Sequence, residues 1–180
     1  MIDLHCHLLP TIDDGPTTHE EALELARFAV ESGIDKAVLT PHIHPGRYNN
    51  SLDNITEAVT SFRSLLKDND IPLQLAVGAE VRICPEILPM VNSEQIPYIG
   101  RHGEKQLMLL EFPHSHLLPG SEKMVDWLKV QGVLPMIAHP ERNKELMQQP
   151  DKIAPFLQRG CLLQVTAGSV AGEFGPAVQA

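Results

Sequence analysis

Two histidines separated by one residue follow an apolar segment at the start of the chain, and this pattern constrains the fold more than any other. The apolar residues between positions 2 and 9 are bounded by Pro10 and Gly15, which indicates one buried strand leading into a turn. Side chains alternate faces along a strand, so His5 and His7 should point the same way at its C-terminal end. The arrangement predicts part of a metal site. The alternative is a pair of hydrogen-bonded polar residues, because His-x-His is a short pattern.

Further buried strands are predicted along the chain, mostly separated by helices. The predicted strands are 36–42, 73–81, 107–113, 133–142 and 161–168. Helices are predicted from Thr17 or Thr18 to Gly33, from Ser51 or Asp53 to about residue 68, and over 85–91, 122–131 and 150–158, with Ser121 as a cap. Residues 93–105 are predicted to be a polar connection, and residues 169–180 show no convincing periodicity. This alternation implies an α/β fold with a parallel sheet, and right-handed crossovers would wrap such units into a barrel.

Most of these predicted strands end in a histidine or a glutamate. Sites in parallel barrels form at the C-terminal ends of the strands, so these side chains should meet. With one aspartate from the first loop, the candidate metal ligands are His5, His7, Asp14, His42, Glu80, Glu111 and His139. Four imidazoles and three carboxylates exceed the needs of one tetrahedral ion and suit two or three divalent ions. Nitrogen and oxygen ligands without thiolate fit manganese, iron or zinc better than calcium.

Two more acidic residues lie near the histidine pair. Asp13 adjoins Asp14, but in an extended turn it should point elsewhere, so only Asp14 is assigned to metal. Asp3 falls on the same strand face as the histidines and could orient one of them or pair with another polar group.

The candidate ligands predict phosphoester hydrolysis, because closely spaced divalent ions clamp a phosphate and lower the pKa of a bound water to about 7. Arg142 lies three residues past His139 and could hold phosphate oxygens through two hydrogen bonds. The alternative for Arg142 is a surface arginine paired with Glu141 or Glu145. Arg47 could reach the same site to bind substrate, although a solvated loop arginine is the simpler reading.

Composition excludes several other classes of protein. The 180 residues carry 14 basic and 23 acidic side chains, a formal charge of −9, which disfavours binding to nucleic acid or anionic membrane. Neither a signal peptide nor a membrane-spanning segment is recognisable, so we expect a cytoplasmic protein with one domain over residues 1–180. The three cysteines are far apart and indicate neither a disulfide framework nor a zinc ribbon.

Other phosphatase mechanisms do not fit the sequence. A cysteine nucleophile needs an arginine six residues later, and none of the three cysteines has one. The Asp-x-Asp at 68–70 lies at a predicted helix end rather than a strand end, which argues against aspartyl-phosphate chemistry. A phosphate-binding P-loop and a G-x-S-x-G elbow are also missing.

Several motifs together resemble those of the polymerase-and-histidinol-phosphatase (PHP) superfamily. They are His5-Cys-His7, Asp13-Asp14-Gly15, Thr40-Pro-His42, Gly78-Ala-Glu80, Leu110-Glu111-Phe-Pro113 and Ile137-Ala-His139-Pro-Glu-Arg142. Within it, the chain is similar to bacterial manganese-dependent tyrosine-protein phosphatases of capsular and extracellular polysaccharide operons. The resemblance implies a distorted (β/α)7 TIM-like PHP barrel and a trinuclear metal centre. It implies phosphotyrosine as substrate, on a partner tyrosine kinase that controls polysaccharide export.

The sequence departs from this family at its C-terminal end. Members of the family continue through a seventh strand that ends in an Asp-x-His pair, whereas this sequence stops at Ala180 without one. We therefore expect a C-terminally truncated chain whose barrel is incomplete and leaves open edges at its first and sixth strands. Weakened metal binding and reduced or absent phosphatase activity should follow.

Two alternatives stay open beside a phosphotyrosine phosphatase. One is a PHP hydrolase that acts on a small phosphate monoester such as histidinol phosphate. The other is a non-catalytic remnant that binds the kinase or forms homo-oligomers through its open strand edges.

Overall fold

Strands alternate with helices along residues 1–179, the part of the chain that the computed structural model describes. The backbone divides into two compact units. The first comprises Met1–Glu80 and Leu88–Gly100, and the second comprises Val81–Ile87 and the chain from Arg101 onward. The mixed α/β class predicted from the sequence is confirmed, while the single domain over residues 1–180 stays a prediction.

The first unit is built on a parallel sheet of three strands in the order β1-β2-β4. Its strands are β1 (Ile2–Cys6), β2 (Lys36–Leu39), β3 (His42–Ile43) and β4 (Gln74–Val77), and β5 (Glu80–Arg82) begins in it and continues into the second unit. Its helices are α1 (His19–Glu31), α2 (Leu52–Asp68) and nearly all of α3 (Ile87–Asn92). The predicted helices at 17–33 and 51–68 are thereby confirmed.

Side-chain caps define where the two long helices of the first unit begin. Thr18 accepts a hydrogen bond from the backbone N–H of Glu21, whose side chain bonds back to the Thr18 backbone. Ser51 and Asn54 form the same reciprocal pair at the start of α2. Each pair satisfies N–H groups that have no partner within the helix.

The second unit contains a parallel sheet in which β7 (Lys105–Glu111) pairs with β8 (Val133–Ala138), and β8 pairs with β9 (Leu162–Gln164). A short strand, β6 (Gly100–His102), pairs with β7. The helices are α4 (Ser121–Val130), α5 (Lys144–Gln148), α6 (Ala154–Gln158), α7 (Ala167–Ala171) and α8 (Pro176–Gln179), with 3-10 turns at Pro140–Arg142 and Pro150–Ile153. Among residues 1–179, no helix combines the length and apolar character that crossing a membrane requires.

Several predicted boundaries were wrong. The predicted strand at 36–42 breaks before His42, because Pro41 has no N–H to continue a ladder. The strand at 73–81 breaks at Gly78 and Ala79, and the one at 161–168 ends at Gln164 before α7 begins. Ser121 does not cap α4: it is the first helical residue, and its hydroxyl donates to the carbonyl of Leu118.

The predicted burial of β1 was also wrong. Ile2 is 58% exposed and Leu4 40% exposed, although both belong to the apolar segment that predicted the strand. The reason is position, because β1 lies at the edge of its three-stranded sheet and pairs there with β2. The polar connection at 93–105 contains β6, and helices α7 and α8 lie beyond residue 166, where no periodicity indicated them.

Candidate metal centre

His5 and His7 lie side by side at the end of β1. Their Nε2 atoms are 3.3 Å apart. Both face the same carboxylate oxygen of Glu80, His5 at 3.1 Å and His7 at 3.2 Å. Glu80 is 1% exposed, so its charge is held away from bulk water. The predicted convergence of these three residues is present within the first unit.

His42 and Asp14 extend this cluster. The Nδ1 atom of His42 lies 3.4 Å from the same Glu80 oxygen, and its Nε2 atom lies 3.4 Å from Asp14 Oδ1. The His42 and His7 ring centroids are 4.7 Å apart. His42 is the first residue of β3, and Thr40 and Pro41 separate it from the end of β2.

The geometry of these donors fits divalent metal ions. Two triads, His5-His7-Glu80 and His7-Asp14-His42, each bring three potential ligand atoms within 4.8 Å of one another. Ligand atoms that bind one ion at about 2.0–2.2 Å lie roughly 3.0–3.4 Å apart, and the observed separations of 3.1–3.4 Å match this range. Three imidazole nitrogens lie close to one buried carboxylate oxygen, and a bound cation could accept lone pairs from all four atoms.

Asp13 has a role that the sequence reasoning missed. It was expected to point away from the histidines, but its Oδ2 atom lies 2.6 Å from His7 Nδ1 and its side chain is fully buried. The same oxygen accepts the backbone N–H of His42, and Oδ1 accepts that of Gly15. Asp13 therefore fixes the ring of one candidate ligand and the backbone of another, as supporting carboxylates do in metal sites. Asp3, for which the sequence allowed either support of a histidine or pairing with another polar group, accepts the backbone N–H of His5.

The electrostatics of the cluster favour positive charge. Burial lowers the pKa of His7, but hydrogen bonds to Asp13 and Glu80, together with their charges, outweigh it and raise that pKa to about 10. Burial raises the pKa of Asp13, yet its hydrogen bond with His7 and the attraction of that ring dominate, so the pKa lies below its usual value. Burial lowers the pKa of His42 despite the nearby Glu80. The carboxylates thus favour positive charge on His7, whereas burial opposes it on His42.

Arg47 lies in the loop that follows β3. It is exposed, and its guanidinium carbon lies 4.9 Å from the centroid of the Tyr48 ring. The Tyr48 ring in turn stacks on His42. The substrate-binding role expected of Arg47 stays a prediction.

The other two candidate metal ligands belong to the second unit. Glu111 ends β7 and is buried. It forms an ion pair with Arg82, in which Oε2 of Glu111 lies 3.1 Å from Nε of Arg82. His139 follows β8 with a left-handed backbone, φ 32° and ψ 52°, and its N–H donates to the Gln164 carbonyl. Such a conformation costs about 1–3 kcal/mol in a residue other than glycine, and it is common at functional sites.

Arg142 is not paired with either glutamate named as its alternative partner in the sequence reasoning. Its guanidinium carbon lies 4.5 Å from the centroid of the Phe174 ring. Glu141 accepts hydrogen bonds from the Ser169 hydroxyl and from a backbone N–H. Glu145 accepts a backbone N–H at 2.7 Å and pairs with a lysine.

Positive charge collects around His114 in the second unit. Burial lowers the pKa of His114, and the charges of Lys144 and Arg142 lower it further. The phosphate-binding role expected of Arg142 stays a prediction.

Comparison with known proteins reveals close relatives. The model of a family described as capsular polysaccharide synthesis, CpsB/CapC, matches residues 1–180. The tyrosine-protein phosphatase YwqE of Bacillus subtilis (strain 168) is 36% identical over 180 residues, which is 100% of this chain and 70% of that protein. The putative tyrosine-protein phosphatase CapC of Staphylococcus aureus is 33% identical over 175 residues, covering 97% of this chain and 68% of that protein.

A solved structure shares the fold. It comes from work on YwqE of Bacillus subtilis and CpsB of Streptococcus pneumoniae, described as unique metal-dependent tyrosine phosphatases. The TM-score is 0.91 at 36% identity, and the match covers 99% of this chain and 71% of that chain.

Proposed function

The chain belongs to the CpsB/CapC family of capsular polysaccharide synthesis, and from this membership we propose that it hydrolyses phosphotyrosine in proteins with the help of bound divalent ions. The observation that carries the proposal is the meeting of His5, His7 and His42 on one buried oxygen of Glu80, at 3.1–3.4 Å. Relatives named tyrosine-protein phosphatases support the substrate class.

The first unit would hold the ions through the residues that its geometry brings together. His5, His7, His42, Glu80 and Asp14 would supply nitrogen and oxygen ligands. When bound, divalent ions would supply an activated water and neutralise phosphate charge. Glu111 and His139 of the second unit keep the ligand roles proposed for them from the sequence.

The positioning of the ligands would come from groups outside the ligand set. Asp13 would keep the proton of His7 on Nδ1, so that Nε2 faces the ion with its lone pair. Arg142 would hold phosphate oxygens through parallel N–H groups and offset the charge that develops as the phosphoester bond breaks.

Finer features of the proposal rest on family membership and ligand chemistry. We propose manganese as the native ion, since the mixed imidazole and carboxylate set suits it, with iron or zinc as the alternatives. We further propose that the fold is of the (β/α)7 PHP type and that the substrate is a tyrosine kinase of polysaccharide export. Support for the substrate comes from the family's description as capsular polysaccharide synthesis and from relatives named tyrosine-protein phosphatases.

The proposal is tested with a phosphotyrosyl peptide, with and without Mn²⁺ and with a chelator. Manganese should support hydrolysis, and the chelator should abolish it. Glu80→Gln should lose roughly 100-fold or more of the rate, because the amide carries no negative charge and replaces one carboxylate oxygen with an NH2 group that cannot ligate a cation. Glu57→Gln, on the exposed face of α2, serves as the matched control and should retain the rate.

Two results would contradict the proposal. One is hydrolysis that ignores the chelator or survives Glu80→Gln. The other is turnover of a small monoester such as histidinol phosphate with none of the peptide, which would favour the small-substrate alternative.

A further inference from the structure

The ring of Tyr48 lies flat against the imidazole of His42. The ring centroids are 5.4 Å apart and the planes differ by only 8°. This is an offset-stacked arrangement, which aromatic pairs favour. Since Nδ1 of His42 faces Glu80 and Nε2 faces Asp14, each at 3.4 Å, the plane of the imidazole sets both distances at once.

The loop that carries Tyr48 is held in a single tight turn. The backbone N–H of His44 donates to the Tyr48 carbonyl at 2.9 Å, and the N–H of Tyr48 donates to the His44 carbonyl at 2.8 Å. Gly46 takes a positive φ of 84°, which glycine tolerates, and its N–H donates to the Asn49 side chain at 2.8 Å. The Tyr48 ring is therefore presented on a closed loop.

Asn50 ties this loop to the backbone around the metal centre. Its side-chain amide donates to the His42 carbonyl at 2.8 Å and to the Ile12 carbonyl at 3.1 Å, next to the segment that carries Asp13. Its side-chain oxygen accepts from Asn54, in the first turn of α2. The loop, β3 and the start of α2 thus form one connected frame.

From this arrangement we infer that Tyr48 is a positioning residue: its ring fixes the orientation of His42 and thereby sets the metal affinity of the centre. Tyr48 itself acts through His42 and ligates no ion. The guanidinium of Arg47 also lies over the Tyr48 ring, 4.9 Å from its centroid. The inference rests on the metal centre of the proposed function and adds a residue outside its ligand set.

The inference is tested by manganese titration, with free Mn²⁺ followed by its electron paramagnetic resonance signal. Tyr48→Leu removes the stacked ring at similar volume and should weaken Mn²⁺ binding about 2- to 12-fold, the range expected for one aromatic pair. Tyr48→Phe keeps the ring and should bind within about 2-fold of wild type, because only the hydroxyl is lost. Tyr98→Leu makes the same chemical change elsewhere in the first unit and should leave the affinity unchanged.

A spectroscopic measurement distinguishes a changed orientation of the His42 imidazole from a general loss of structure in the loop. With Co²⁺ in place of Mn²⁺, Tyr48→Leu should shift the visible absorption bands, while Tyr48→Phe should reproduce the wild-type spectrum. If Tyr48→Leu fails to fold by circular dichroism, Asn50→Ala takes its place, and it should weaken Mn²⁺ binding by freeing the loop.

Wild-type affinity in Tyr48→Leu, or equal weakening in Tyr48→Phe, would overturn the inference and leave the proposed function standing. A wild-type chain that binds no Mn²⁺ would overturn both.

Discussion

At the scale of single residues, the candidate metal centre includes a group outside its proposed ligand set. Asp13 contacts His7 at 2.6 Å and also accepts the backbone N–H of His42, so one buried carboxylate supports two candidate ligands. Its buried charge makes His7 a stronger base. A divalent ion at His7 is attracted more strongly by the negative charge of Asp13 than is the singly charged proton that competes for the same imidazole.

Asp13→Asn is therefore expected to weaken Mn²⁺ binding about 10- to 100-fold while preserving the shape of the side chain. Isothermal titration at neutral pH measures the change. Asp53→Asn, at an exposed position in the first turn of α2, is the control and should bind like wild type. Equal affinity in Asp13→Asn and wild type would show that Asp13 is not a supporting residue.

The raised pKa of His7 predicts a pH dependence of stability in the metal-free chain. Its folded value of about 10 lies above the ordinary 6.5, so the charged ring stabilises the fold fully below about pH 6.5. That contribution is lost as the pH rises through about 10. In urea unfolding, the stability gap between wild type and Asp13→Asn should narrow from pH 6.5 to pH 10. A gap that stays constant or widens would contradict the assignment.

At the scale of elements, breaks in the strands place the ligands. β2 ends before Pro41 and β4 ends before Gly78, and a candidate ligand follows each break within three residues, His42 and Glu80. Gly78 lies so close to β2 that a Cβ atom there would be 2.7 Å from Val38 Cγ1. The absence of a side chain at this position lets the chain pass beside β2.

Gly78→Ala should accordingly destabilise the chain by about 1–3 kcal/mol, because the new methyl group meets the stiff, β-branched Val38 and also Ile99. Urea denaturation measures the loss. In a Val38→Ala background the penalty of Gly78→Ala should shrink, since the nearest contact is removed. An unchanged stability of the single variant would show that the backbone can yield there.

The sequence predicted residues in regular elements better than residues in turns and loops. The period of two in β1 placed His5 and His7 on one face. For each long helix the sequence offered two starting residues, and the structure selects Thr18 rather than Thr17 and Ser51 rather than Asp53. The position of Asp13 was missed because a turn follows no such period. Tyr48 was missed because stacking depends on how a loop folds back on its strand.

At the scale of the whole molecule, the sequence predicted where the strands lie better than how deeply they are buried. Apolar residues in β1 predicted a buried strand, yet Ile2 and Leu4 are exposed, since burial depends on which strand lies at a sheet edge. Glu111 and His139 lie at the ends of β7 and β8 as predicted, and the structure adds the ion pair between Glu111 and Arg82.

The central claim is that His5, His7, His42 and Glu80 hold divalent ions. Anomalous X-ray diffraction from crystals of the chain soaked in Mn²⁺ tests it most directly. We expect manganese peaks within about 2.0–2.3 Å of the imidazole nitrogens and of the Glu80 carboxylate. Manganese bound only elsewhere on the chain, or no peak at saturating Mn²⁺, would contradict the account.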